Sequence, residues 1–127
     1  MQIKNRLWYI DGMNQNSKNQ ETVQNLFENI PASMPDEIFQ DLIRSGDVRI
    51  ERILSRGQAT PEGQWYDQDR HEWILLLKGR AGLVFAGREE IVTLHAGDSL
   101  NIPAHVKHRV AWTDSVETTI WLAVHYR

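Results

Sequence analysis

The sequence predicts an all-β fold, an antiparallel sandwich or barrel, on three observations. Short β-rich runs recur at near-regular spacing: Trp73–Leu77, Leu83–Phe85, Ile91–Leu94, Leu100–Ile102, Val110–Trp112 and Thr119–Tyr126. Turn residues separate them at Gly79, Ala86-Gly87-Arg88, Gly97-Asp98, Pro103 and Thr113-Asp114-Ser115. No internal linker or low-complexity block divides them. Many short strands punctuated in this way read as sheets that stack or close on one another.

Ahead of these runs the chain changes character twice. Residues 1–20 are polar and rich in Asn and Gln, with one apolar island at Leu7–Ile10. They read as a flexible tail, or as an added strand formed by that island. Residues 21–47 read as an N-terminal helical segment. Val23, Leu26, Phe27 and Ile30 recur at helical spacing until Pro31. A better helix is expected at 36–44, where Pro35 suits a first turn and Asp36 and Glu37 suit the positive helix start. Ile38, Phe39, Leu42 and Ile43 share one face there, and Gly46 reads as the stop. From residue 48 the period shortens. Val48 and Ile50 alternate with charged neighbours, as on a half-buried strand, and the β region runs over 48–127.

A chain of 127 residues suits one domain. Its apolar share of 41% is ordinary for a globular protein and allows a sizeable core. A formal net charge of -3 argues against nucleic acid or an anionic membrane as partner, since both need a basic surface. There are no cysteines, which excludes disulfides, thiol nucleophiles and zinc ribbons. No apolar run approaches the roughly 20 residues that span a bilayer, and the first twenty residues do not read as a secretory leader. A cytoplasmic location is therefore expected.

Two segments carry the functional signal: GQWYDQDRHEWILLLKG from Gly63 to Gly79, and GDSLNIPAHVKHRV from Gly97 to Val110. As a spaced pair they resemble the two motifs of the cupin superfamily. In the first motif of that family two histidines one residue apart lead to a Glu and then a Gly. Glu72 and Gly79 match the last two places. In the second, Gly97, Pro103 and His108 match. The resemblance covers about residues 48–127, and residues 20–127 are also similar to small stand-alone bacterial cupins. It implies a double-stranded β-helix, the jelly-roll cupin barrel, with a ligand pocket in its mouth.

In that family the two histidines, the Glu and the second-motif His bind one divalent metal. Here the histidine places hold Tyr66 and Gln68 on one spacing, or Trp65 and Asp67 on the other. The resemblance leaves Glu72, His108 and Gln68 as the candidate metal ligands for zinc, nickel, manganese or iron, with Tyr66 or His105 as alternative third donors. An amide oxygen is a poor substitute for imidazole at such metals. By strand parity residues 66, 68 and 72 share a face. Glu72 as base and His108 as acid are the catalytic candidates. Tyr66, Gln68, His105, Trp112 and His125 are the substrate-binding candidates.

Each feature also has a plainer reading. Glu72 and His108 pair inside the fold because a buried charge needs a partner. His71 faces away from Glu72, His95 is exposed at a turn, and Trp73 and Trp121 are outer-face packing or dimer contacts. Trp73, Leu75 and Leu77 alternate away from Glu72, which leads us to expect a homodimer. Three functions follow: binding or turnover of a small polar metabolite, with or without a divalent metal; a metal-free small-molecule binding or sensing module; and a dimeric structural or interaction protein.

Overall fold

The computed structural model describes residues 6–8 and 22–127. Among them the chain forms nine strands and no helix. These are β1 (Arg6–Trp8), β2 (Ile38–Ser45), β3 (Val48–Ser55), β4 (His71–Lys78), β5 (Arg80–Phe85), β6 (Ile91–His95), β7 (Ser99–Ile102), β8 (His108–Thr113) and β9 (Thr119–Tyr126). One sheet runs β1-β2-β3-β9-β4-β7 and the other β6-β5-β8. All pairings are antiparallel except β1 on β2. The tail reading of residues 1–20 lies outside the described residues, apart from the three that form β1.

The expected helix over 36–44 is instead strand β2. Its apolar residues at 38, 39, 42 and 43 fit a helix face, but tertiary pairing overrides that local pattern. β2 and β3 pair from Ile38↔Leu54 to Ser45↔Val48 and are joined by Gly46-Asp47 alone. A two-residue Gly-Asp loop between apolar runs is a hairpin signal, and Gly46 takes the positive φ of 56° that such a turn uses. A shift in register between Asp41 and Ile43 lets the strand carry its helix-like spacing.

The expected closed barrel is also corrected. The two sheets face one another, and among the described residues no ladder joins them. A single bridge from Tyr66 to His108 connects the segment before β4 to the smaller sheet. At another corner the bonds are local, with the Leu76 N–H donating to the Asp98 carbonyl and the Gly97 N–H to Leu76. Pro103 ends β7 at the edge, where it cannot donate a ladder bond. The result is a two-layer, all-β fold.

The core between the layers comes from alternate residues of each strand. Ile74 and Leu76 of β4, Ala81, Leu83 and Phe85 of β5, and Ala123 of β9 are buried there. Leu76 is fully buried, so truncating it to alanine would cost about 2–5 kcal/mol. The opposite face of the large sheet is covered in part by the segment before β2. Met34 packs on Leu54 and Ile120. Beside it, fully buried Arg52 donates to the carbonyls of Leu26 at 3.0 Å, Glu28 at 2.7 Å and Asn29 at 3.2 Å, and to Gln40 Oε1 at 2.7 Å. This reverses the expected parity of β3. Glu51 and Ile53 face the interior, while Ile50, Arg52 and Leu54 face the covering segment.

Candidate functional site

A chamber of about 50 Å³ lies between the sheets. Phe39, Ile53, Ile74, Leu83, Ile102 and Trp121 form its apolar walls. Glu37, Glu51, Tyr66, Gln68, Glu72 and His108 supply its polar groups. At roughly 10–15 Å³ for one water, the chamber has room for a few waters or a small chemical group. Two larger surface grooves, each about 610 Å³, adjoin it. The first shares Glu37, Phe39 and Tyr66 with the chamber. The second shares Gln68 and is lined by Arg44, Arg49, Arg70 and Arg127.

Strand parity delivers Glu72 inward from β4, between the outward-facing His71 and Trp73. His108 begins β8 opposite it. Its Nε2 lies 3.6 Å from Glu72 Oε1, and both side chains are largely buried. Its Nδ1 lies 2.8 Å from the Val106 carbonyl, which fixes a proton on that nitrogen. Burial pushes the His108 pKa down, but Glu72 and the Val106 carbonyl together push it up further, so the net shift is upward. When His108 is protonated the contact is an ion pair, the arrangement expected where a buried carboxylate needs a cation.

Tyr66 is held against this pair by main-chain bonds. Its N–H donates to the His108 carbonyl at 2.8 Å, and the His108 N–H returns a bond of 3.2 Å. The two rings lie 5.5 Å apart. Burial, and then the nearby Glu37 charge, push the phenol pKa to about 12, so Tyr66 stays a neutral hydrogen-bond donor at physiological pH.

Two polar chamber residues were not among the sequence candidates. Glu37 accepts a bond of 2.9 Å from Ser55 Oγ, which itself accepts one of 3.2 Å from Trp121 Nε1. Burial raises the Glu37 pKa; the Ser55 bond lowers it and the Glu51 charge raises it again. Glu51 lies 2.7 Å from His125 Nε2. In the sequence Glu37 looks like a helix-start carboxylate and Glu51 like the solvent side of an alternating strand. The Gly46-Asp47 hairpin was the available signal, because it fixes the register of both residues.

Three proposed binding residues do not line the chamber. His105 sits in the loop after β7 with φ of 66°, and its exposed ring turns to Asp67 at 3.0 Å. Its main-chain N–H instead holds the Gln68 carbonyl at 2.7 Å. His125 lines the arginine-rich groove. Trp112 lies across Gly82 on the outer side of the small sheet, so close that a Cβ at 82 would meet its indole Nε1. His71 faces outward, where its Nδ1 accepts from the Ala104 N–H at 3.0 Å and its ring lies 5.1 Å from Tyr126.

The donor set does not match a metal centre. Among the described residues no group of three His, Cys, Asp or Glu is arranged to hold an ion. Glu72 and His108 supply one carboxylate and one imidazole, and Gln68 adds at most an amide oxygen. A firm transition-metal site needs three or four good donors.

Residues 53–125 match the cupin domain family (Cupin_2). A crystal structure from Ralstonia eutropha JMP134, of a protein provisionally assigned as a mannose-6-phosphate isomerase, is 47% identical with a TM-score of 0.81. The match covers 84% of this chain and 98% of that one. A cupin superfamily protein from Desulfitobacterium hafniense DCB-2 is 21% identical with a TM-score of 0.68, over 84% of this chain and 92% of that one. A conserved protein of unknown function from Streptococcus pyogenes is 17% identical with a TM-score of 0.66, over 85% and 89%. The last two similarities carry the fold alone. A search of curated proteins finds no match. The motif places at Glu72, Gly79, Gly97, Pro103 and His108, the two-sheet architecture and the family match agree, and the chain belongs to the cupin family.

Proposed function

We propose that the protein is a metal-free module that binds or senses a small molecule between its two sheets. The observation that carries this reading is the chamber itself. It has apolar walls and a few convergent polar groups, the usual composition of a small-molecule site. The Glu72–His108 pair, Tyr66 and Gln68 occupy the places where a metal-binding relative would hold its ligands. Here they are arranged to hydrogen-bond a ligand directly. Because the chamber is small, one end of the ligand enters it and the body lies in the groove that shares Glu37, Phe39 and Tyr66.

Elemental analysis of tag-free protein, paired with ligand-induced shifts in melting temperature with and without a chelator, tests the reading. The expected result is less than stoichiometric metal and ligand shifts that the chelator leaves unchanged. Stoichiometric metal whose removal abolishes ligand binding would overturn it. Turnover of mannose 6-phosphate, the substrate in the provisional assignment of the Ralstonia relative, would show an enzyme instead.

A further inference from the structure

We propose that the chamber selects a small amine, taken by its cationic end, and rejects anions, phosphate esters among them. The inference rests on the chamber being a binding site and adds the charge class of its ligand. The argument begins with the whole lining. Its ionisable groups among the described residues are Glu37, Glu51, Glu72, Tyr66 and His108, with no Lys or Arg in the lining itself and Arg49 Nη2 standing 3.8 Å behind Glu51. The adjoining groove continues the same character, with Asp36 and Glu37 as its charged residues. An anion following this route meets carboxylates at the entrance and inside. The one imidazole it could use is already held by Glu72 at 3.6 Å.

An ammonium group meets the opposite field. Glu51 and Glu72 already face His125 and His108, so Glu37 is the carboxylate that accepts its N–H bonds; it stands at the junction of groove and chamber, with its Oε2 oriented by Ser55. Burial that raises the Glu37 pKa is offset when a cation arrives beside it. The aromatic side chains of Tyr66, Phe39 and Trp121 line the same space, and aromatic rings attract cations. The short hydrocarbon body then lies in the groove along Phe39 and Trp65. The arginines that would suit a phosphate gather in the other groove, where they face acidic partners. Arg127 lies 3.2 Å from Asp47 and 3.7 Å from Asp69, and Arg70 lies 3.9 Å from Asp47.

Calorimetry on the full chain with n-butylamine, 1-butanol, butyrate and mannose 6-phosphate tests the charge class, since the first three share one hydrocarbon body. At neutral pH and low salt, butylamine is expected to bind at least about tenfold tighter than butyrate, with butanol between them and mannose 6-phosphate silent. Glu37→Gln should reduce the amine-to-alcohol ratio several-fold, while Glu89→Gln, on an exposed turn, leaves it unchanged. The ratios in the unmodified protein decide the matter even if Glu37→Gln fails to fold. Binding of butyrate or mannose 6-phosphate as tight as that of butylamine would overturn the charge class and leave the binding-module reading intact. Silence from all four probes would overturn both.

Discussion

His125 Nε2 lies 2.7 Å from Glu51 Oε1, and both side chains are almost wholly buried. Glu51 lines the chamber while His125 lines the arginine-rich groove, so the pair forms the partition between the two. Removing one member leaves a buried ionisable group without its closest partner, which typically costs about 3–5 kcal/mol. We expect His125→Ala to lower the unfolding free energy by about 3 kcal/mol in urea titrations. His95→Ala, at an exposed turn, should change it by less than about 0.5 kcal/mol. Equal effects for the two would show that the pair contributes nothing.

Stability should fall as pH rises through the titration of His108. Its folded pKa is raised above the ordinary 6.5. Its contribution is therefore complete below 6.5 and is lost as pH climbs through the folded value. Glu37 has the same sign lower on the scale. Its pKa is raised above 4.5, so its protonated form is favoured by folding and that contribution is lost as pH climbs through its own raised value. Denaturation midpoints should slope downward as pH rises above 6.5, and His108→Gln should flatten that slope. An unchanged slope in the variant would remove His108 from the account.

Gly79 and Gly87 provide a matched pair. Both have positive φ, of 87° and 83°. A Cβ at 87 would stand in open space, whereas one at 79 would lie 2.7 Å from the Thr119 Cα. Gly87→Ala should cost only the backbone strain, about 1 kcal/mol. Gly79→Ala adds a main-chain collision and should cost more than twice as much. Melting curves of the two variants give the comparison, and equal losses would contradict the close approach of β4–β5 to β9.

The outer face of the large sheet is the surface on which we expect a second copy of the chain. Trp73 pairs across strands with Val124, and Leu75 with Leu122, and all four are half-buried on the side away from the chamber. A contiguous apolar face of this kind favours a twofold partner. Light scattering should give a dimer mass at micromolar concentration, and the double variant Leu75→Glu with Leu122→Glu should give a monomer. A monomer mass for the unmodified chain would refute the expectation.

The strands from residue 71 onward were legible in the sequence because their alternation and turns are strong local signals. The same parity correctly separated inward Glu72 from outward His71 and Trp73. The first hairpin was not legible as such. Ile38, Phe39, Leu42 and Ile43 satisfy a helical period, and only pairing with β3 reveals the strand. That misreading concealed Glu37, and the reversed parity of β3 concealed Glu51. His105 and Trp112 were misplaced for a different reason. A left-handed loop residue and a strand with a shifted register do not follow simple alternation.

Within the segment before β2, the Arg52 guanidinium bonds to main-chain oxygens, at Leu26, Glu28 and Asn29. A carbonyl oxygen is the same in every amino acid, so this attachment makes no demand on the side chains at Leu26 and Glu28, while Asn29, at φ of 58°, is held to the few residues that tolerate a left-handed backbone. Val23 and Phe27 beside them already point to solvent. The start of this segment is thus gripped through its backbone, while Ile30 and Met34 further along are held by their side chains against Leu54 and Ile120. Related chains can dress that surface differently without disturbing the sheet beneath it.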